Sequence, residues 1–219
     1  MKYTLIFDFD GTLHETARVY IPAFRKAAAF LEENGFSVPF LPDEQVTKYL
    51  GVNVIDMWND FQPNLPRIWQ QKGAAVLSAV LSEAVRSPRA RLYDGVPEVL
   101  DALRDSGHKM ILLSNCREEY LHDIRARFSL DRWLCDYYCC QAYDYAAKEE
   151  IFPAIAAAHP GPWVMIGDRA SDKQVSIVHQ IPFLGCSYGY GTPEELSGAT
   201  RLLQSPRELP AAIASLEQA

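Results

Sequence analysis

Two aspartates one residue apart follow the first apolar segment of the chain, in the stretch "TLIFDFDGTLHE" (4–15). Bringing the carboxylates of Asp8 and Asp10 together costs free energy unless a cation is shared between them. Carboxylate oxygens are ligands that Mg²⁺ prefers, and Gly11 allows the backbone to approach an anion and offer it N–H groups. The pattern therefore predicts a site that combines a divalent cation with a phosphate group.

Polar residues also follow the other predicted strands of the chain. They are Ser114 and Asn115 at and just beyond the end of "KMILLS", Lys148 a few residues after "CDYYCC", and Asp168 and Asp172 at and beyond the end of "WVMIGD". In an open parallel sheet, ligands bind beyond the carboxyl ends of the strands, which all lie at one edge. We therefore expect these side chains to meet the first two aspartates at that edge.

Such a set of groups has the chemistry needed for phosphoryl transfer. One aspartate can attack phosphorus and form an aspartyl phosphate. The second can protonate the leaving oxygen and then deprotonate the water that hydrolyses the intermediate. We predict that the phosphate itself is bound by the residues that flank the carboxylates, namely Gly11, Thr12, Ser114, Asn115 and Lys148.

Two sequence patterns describe the elements that must position these residues. Apolar strands alternate with helices in residues 1–13 and 92–219, which predicts an α/β core built on a doubly wound parallel sheet. Residues 14–91 instead show apolar positions at helical spacing, with Gly35 where the first helix would end. We therefore predict that a helical domain is inserted into the core after its first strand.

Composition limits the partners and the compartment. The chain has 219 residues, a formal charge of −7 and no run of lysine or arginine, which argues against a nucleic-acid partner. Its five cysteines include no CxxC pair, as is usual for reduced cytosolic thiols. No apolar run is long enough for a membrane span, and the first strand starts without a signal peptide. We expect a cytoplasmic monomer or homodimer that binds no membrane.

The motifs "DFDGT", "SN", a lone lysine and "GDRASD", in that order, resemble the four sequence motifs of the haloacid dehalogenase superfamily of phosphohydrolases. The helical insertion resembles the C1 cap of the branch that contains phosphoglycolate phosphatase and β-phosphoglucomutase. The stretch "SYGYGTPEEL" (187–196) is also similar to that branch. The resemblance covers the whole chain and implies a Rossmann-like core with the first strand at its centre.

The resemblance also implies roles for the acidic residues. Asp8 would be the nucleophile and Asp10 the general acid and base. Mg²⁺ would be held by Asp8, the backbone carbonyl of Asp10, and Asp168, while Asp172 would support the site. His14 is expected to line the cleft as a loop histidine. The expected function is hydrolysis of a small phosphorylated metabolite by a Mg²⁺-dependent phosphatase.

Two other functions stay open on the sequence. A sugar-phosphate mutase would need a cap group that holds the second charge of its substrate. The phosphomutases of the family place an arginine near the segment after Gly51, and none occurs there in this sequence; the cap arginines clear of the hinge are Arg18, Arg25 and Arg67. A phospho-acceptor module would hold metal and phosphate without turnover. The lifetime of its aspartyl phosphate would distinguish it from an enzyme.

Overall fold

The computed structural model describes residues 2–218 and contains a six-stranded parallel sheet with helices on both faces. Within these residues the strands are β1 (Thr4–Phe7), β2 (Lys109–Ser114), β3 (Asp136–Cys139), β4 (Trp163–Gly167), β5 (Phe183–Cys186) and β6 (Arg201–Leu203). The α-helices are α1 (Ala17–Glu33), α2 (Asp43–Val46), α3 (Val54–Phe61), α4 (Arg67–Val85), α5 (Val96–Asp105), α6 (Glu118–Phe128), α7 (Lys148–Ala158), α8 (Ala170–His179), α9 (Pro193–Leu196) and α10 (Leu209–Leu216). The predicted α/β fold class is confirmed.

The order of the strands places β1 at the centre of the sheet. The order is β3-β2-β1-β4-β5-β6, and every neighbouring pair is parallel. The chain therefore moves outward from β1 on one side and then returns to build the other side from β4. Asp8 directly follows β1, so it lies where the strand order reverses, which is where open α/β sheets bind ligands.

The central strands are buried on both faces because helices cover both sides of the sheet. In β1, Leu5 and Phe7 join the cluster that contains α5, α6 and α10, whereas Ile6 joins the cluster that contains α7 and α8. This two-residue alternation is the geometry of a strand, and it explains why "TLIF" is apolar throughout. The rigid sheet provides the platform on which the strand-end residues stand.

Helices α1 to α4 form a cap with a hydrophobic cluster of its own. Phe24, Trp58 and Phe61 are buried in that cluster. Val19 and Val85, near the two ends of the helical segment, belong instead to the cluster of the sheet. The cap is therefore attached to the core at both of its chain connections. None of the helices described is both long and apolar enough to cross a membrane.

Residues adjacent to the helices explain where several of them begin or end. Asn53 caps α3, because its side chain accepts hydrogen bonds from the backbone N–H groups of Ile55 and Asp56, each at 3.0 Å. Gly35 follows α1 with a φ of +86°, a conformation that costs glycine little. Helix α2 begins at Asp43, and the cap position before it is Pro42.

Candidate active site

Three buried carboxylates converge at the carboxyl edge of the sheet. Asp8 follows β1, Asp168 follows β4, and Asp172 lies in the first turn of α8. Each offers an oxygen within 4.8 Å of the others. The first two are brought together because β1 and β4 are neighbours, and the backbone N–H of Asp8 donates to the carbonyl of Ile166 at 2.9 Å.

Lys148, the first residue of α7, lies between two of these carboxylates. Its Nζ donates to Oδ1 of Asp8 and to Oδ1 of Asp172, both at 2.6 Å, and its side chain is 1% exposed. Burial lowers the pKa of Lys148, but attraction to Asp172 and Asp8 outweighs burial and raises that pKa above its usual range. The ammonium is therefore held as a cation within the cluster.

One ammonium does not neutralise three carboxylates. Burial raises the pKa of Asp8 to about 7, and repulsion from Asp172 adds to this effect against the attraction of Lys148. Burial and the charge of Asp8 also raise the pKa of Asp168 well above its usual range. Oδ2 of Asp8 is buried and accepts no hydrogen bond from the part of the chain that the structure describes. The site thus has a surplus of negative charge and an unused oxygen ligand.

Two loops hold Asp168 in place. Its Oδ2 accepts a 2.6 Å hydrogen bond from the backbone N–H of Tyr190, and its Oδ1 lies 3.4 Å from Oγ1 of Thr12. Gly11 has a φ of +91°, and any side chain at that position would overlap the carboxylate of Asp168. The glycine is required here both by the backbone conformation and by the close approach of Asp168.

Asp10 lies apart from the carboxylate cluster and has its own partners. Its Oδ1 accepts hydrogen bonds from Oγ1 of Thr16 and from the hydroxyl of Tyr120, both at 2.7 Å. Nδ1 of His14 is 2.9 Å from the same Thr16 oxygen. The expectation that His14 lines the cleft is wrong, because its ring is fully buried and stacks on Phe9 with centroids 5.1 Å apart.

The residues at the end of β2 lie at the same edge of the sheet as the carboxylates, and one of them contacts the cap. Ser114 ends the strand and is buried. Asn115, predicted to bind phosphate, donates from Nδ2 to the carbonyl oxygen of Gly51 in the cap at 2.9 Å. In this arrangement the amide connects core and cap, and its phosphate contact stays a prediction.

A second core residue holds the same part of the cap. Arg169 donates from Nη1 to the carbonyl oxygens of Lys48 at 3.0 Å and of Leu50 at 2.7 Å. Its Nε donates to Glu195 at 3.1 Å, which fixes the guanidinium. The backbone of residues 48–51 is therefore bound from two core loops that also carry site residues.

Sequence reasoning did not identify four residues of this arrangement: Thr16, Tyr120, Arg169 and Tyr190. Arg169 was visible as part of "GDRASD", between the two aspartates of that motif. Tyr190 lies in the loop "SYGYGTPEEL", and its hydroxyl accepts a hydrogen bond from the backbone N–H of Ala17 at 2.9 Å. It thereby links Asp168 to the start of the first cap helix. For Thr16 and Tyr120 the sequence contains no periodic signal.

Two curated proteins are similar to this chain in sequence. The chain is 29% identical over 113 residues to a 5′-nucleotidase of Pseudomonas aeruginosa, a match that covers 48% of this chain and 50% of the relative. It is 25% identical over 202 residues to the tyrosine-protein kinase PtkA of Mycobacterium tuberculosis, covering 85% of this chain and 62% of the relative. The chain thus spans between half and two thirds of the length of these relatives.

The fold and the motif order agree with one family. A haloacid dehalogenase-like family hydrolase from Streptococcus pneumoniae has the same fold, with a TM-score of 0.83 at 16% identity and with 97% of this chain and 98% of that chain covered. The sequence model of haloacid dehalogenase-like hydrolases matches residues 4–175. That range includes the converging carboxylates and Lys148. The chain therefore belongs to the haloacid dehalogenase-like hydrolases.

Proposed function

We propose that this hydrolase is a Mg²⁺-dependent phosphatase that cleaves a small phosphate monoester through an aspartyl-phosphate intermediate. The observation that carries the proposal is the unpartnered, buried Oδ2 of Asp8 beside Asp168, Asp172 and Lys148. A buried carboxylate oxygen without a hydrogen-bond donor is costly to the fold, so a functional role best explains it. Similarity to a 5′-nucleotidase supports a phosphate ester as the substrate.

The carboxylate cluster fits a divalent cation. Hard oxygen ligands, surplus negative charge and an unused buried oxygen are the features that favour Mg²⁺ over a soft metal. We propose that Asp8, Asp168 and the backbone carbonyl of Asp10 hold the ion, with Asp172 kept in position by Lys148. When bound, Mg²⁺ neutralises carboxylate charge and charge that develops on phosphoryl oxygens.

In the first step, a carboxylate oxygen of Asp8 forms a bond to phosphorus while the bond from phosphorus to the leaving oxygen breaks. The ammonium of Lys148, already 2.6 Å from Asp8, stabilises the negative charge around the phosphoryl group. Asp10 gives a proton to the leaving oxygen, so the alcohol departs as a neutral molecule. The hydrogen bonds from Thr16 and Tyr120 to Oδ1 orient Asp10 and leave Oδ2 to carry that proton.

The second step reverses the role of Asp10. As a carboxylate it takes a proton from a water molecule, whose oxygen attacks phosphorus and displaces the carboxylate of Asp8. The products are inorganic phosphate, a regenerated Asp8 and a protonated Asp10. Because Asp10 is present to activate water, we propose that the aspartyl phosphate is short-lived. This property favours an enzyme over a phospho-acceptor module.

A mutase-type transfer is less well supported by the cap. Arg25 is paired with Asp43 at 2.8 Å, and Arg18 is paired with Glu15. Neither arginine lines the cleft between cap and core. A mutase must bind its substrate's second phosphate, and no cap arginine of the described residues is placed in the cleft to do so.

Removing the metal is expected to remove activity. With p-nitrophenyl phosphate, we expect EDTA to lower phosphate release at least about 100-fold and Mg²⁺ to restore it, because the cation offsets charge in both steps. Binding only to the folded state also raises stability, by about 2.7 kcal/mol at 100 times the dissociation constant. Phosphate release and thermal unfolding with and without Mg²⁺ measure the two effects.

Two matched variants distinguish binding of Mg²⁺ at the carboxylate cluster from a general effect of removing one negative charge. Asp168→Asn is expected to abolish the Mg²⁺-dependent rise in Tm, whereas Asp94→Asn, at a side chain that is 94% exposed, is expected to retain it. An unchanged Tm shift in Asp168→Asn would show that the cation binds elsewhere. Activity that is insensitive to EDTA would rule out the metal-dependent function.

We also propose that residues 14–91 form a lid that closes over the site. The interactions of Arg169 and Asn115 with the backbone of residues 48–51 connect that segment to loops that carry Asp168 and Ser114. A closed lid excludes water and strengthens the electrostatic interactions around the phosphoryl group. The expected hinges are the chain connections near 13–16 and 89–92.

Loosening this contact is expected to weaken catalysis without removing it. Arg169→Ala removes its two hydrogen bonds to the cap and its bond to Glu195. Because one hydrogen bond from a charged donor is worth about 1.5–3 kcal/mol, we expect kcat/KM to fall at least 10-fold. Hydrogen exchange in residues 48–51 should increase. Lys173→Ala is the control, because Lys173 lies in the first turn of α8, close to Arg169 in the chain, and its ammonium donates to carbonyl oxygens of the core, those of Glu194 and Ser197. Equal effects of the two variants would contradict the lid role.

A further inference from the structure

The residues that line the cleft between cap and core indicate which leaving group can bind there. Its cavity has a volume of about 90 Å³, and Asp10, Thr16 and Tyr120 form part of its wall. A general acid must lie within hydrogen-bond reach of the oxygen that it protonates. Because Asp10 lines this cleft, the alcohol part of the substrate has to occupy it.

The cap side of the cleft is apolar and aromatic. The cap residues that line it include Tyr20, Tyr49, Leu50, Val52, Met57 and Leu77. Among the described residues that line the cleft, Asp10 and Arg117 are the charged ones, and their charges are opposite in sign. The space available to the leaving group therefore has apolar walls and little net charge.

The cap contributes no cation to this space. Lys48 is nearby in the chain, but its Nζ lies 2.9 Å from Asp60 and its side chain is 52% exposed. Arg25 and Arg18 have the acidic partners described above. A second phosphate or carboxylate on the substrate would lose its hydration against the cap without gaining an ionic partner there, which is costly.

We propose, on the basis of the phosphatase function above, that the natural leaving group is a neutral alcohol with an apolar body about the size of an aromatic ring. Burial of such a body against the cap gains hydrophobic free energy, and the hydroxyl of Tyr20 can orient a polar edge. The hydroxyl of Tyr49 already donates to Asp60 at 2.8 Å. The cap thereby selects for apolar leaving groups and against small metabolites that carry a second negative charge.

Three phosphate esters test this selection in the presence of Mg²⁺: ethyl phosphate, 2-phenylethyl phosphate and 2-phosphoglycolate. The first two leave as primary alcohols of similar acidity, so a difference between them reports binding of the ring. We expect kcat/KM for 2-phenylethyl phosphate to exceed that for ethyl phosphate about 10- to 100-fold, and 2-phosphoglycolate to be the poorest of the three. A preference for 2-phosphoglycolate that disappears in Arg117→Gln would overturn the proposal.

Two neighbouring alanines of α4 provide a matched pair of variants. Ala74 is half-buried and lines the cleft, whereas Ala75 is exposed. Ala74→Glu places a carboxylate among the apolar residues and is expected to reduce the ratio of kcat/KM for 2-phenylethyl over ethyl phosphate at least fivefold. Ala75→Glu should leave that ratio unchanged. An unchanged ratio in both variants would show that the ring binds elsewhere.

A binding experiment distinguishes failure of this proposal from failure of the phosphatase function. Calorimetric titration of Asp8→Asn with ethyl and 2-phenylethyl phosphate, in Mg²⁺, measures selection without turnover. At least 10-fold tighter binding of the phenylethyl ester supports the apolar subsite, even if the wild type hydrolyses neither ester. Equal affinities overturn the subsite, even if the wild type hydrolyses both.

Discussion

Asp8→Asn is expected to lower kcat for phosphate release by about 10⁴-fold or more, because the amide cannot form the bond to phosphorus. The fold should remain intact. Asp8 is buried beside Asp168 and Asp172, and its raised pKa shows that its ionised form is disfavoured in the folded protein. Removal of this charge relieves repulsion, so in EDTA at pH 8 the Tm of the variant should equal or exceed that of the wild type.

Asp123→Asn is a matched control, since it neutralises a buried carboxylate outside the site. Asp123 accepts hydrogen bonds from Ser82 and, at 2.7 Å, from Arg86. Its loss should reduce stability by about 1–3 kcal/mol and change kcat less than about threefold. Thermal unfolding and initial rates of phosphate release measure both variants. The nucleophile is assigned wrongly if Asp8→Asn keeps kcat within tenfold of the wild type.

Lys148→Met is expected to have the largest effect on stability. The substitution keeps an apolar stem in a fully buried position but removes the only ammonium that contacts Asp8 and Asp172 in the part of the chain that the structure describes. Breaking a buried ion pair by deleting one partner typically costs about 3–5 kcal/mol. We expect the free energy of unfolding in EDTA to fall by this amount. With Mg²⁺ present, kcat for phosphate release should fall at least 100-fold.

Two further measurements test the cause of that loss. Mg²⁺ should restore part of the stability of Lys148→Met, because the cation replaces some of the missing positive charge. The double variant Lys148→Met/Asp172→Asn should be more stable than Lys148→Met alone, since it removes an unpaired carboxylate; the double-mutant cycle gives the coupling free energy. Lys173→Met, at a half-buried lysine of α8 that donates to the carbonyls of Glu194 and Ser197, should change the free energy of unfolding by less than about 1.5 kcal/mol. If Lys148→Met were as stable as the wild type in EDTA, the ion pairs of Lys148 with Asp8 and Asp172 would not stabilise the fold, which would contradict this prediction.

Local sequence determined the framework and most of the carboxylate cluster. Apolar runs such as "TLIF" and "WVMIG" specify strands that are buried on both faces, and these strands pair in parallel when helices separate them. Parallel strands end at a common edge, so residues directly after them, such as Asp8 and Asp168, must lie close together. Their proximity follows from chain geometry and requires no knowledge of individual side-chain contacts.

Only the tertiary structure decided how the cap meets this edge. Asn115 bonds to Gly51, 64 residues away along the chain, and Arg169 bonds to Leu50, 119 residues away. His14 is buried behind Asp10 because the turn after β1 folds its ring onto Phe9. Such contacts depend on how separately folded elements dock and on the paths of irregular loops. Neither has a repeating pattern of apolar residues, so no local sequence signal encodes them.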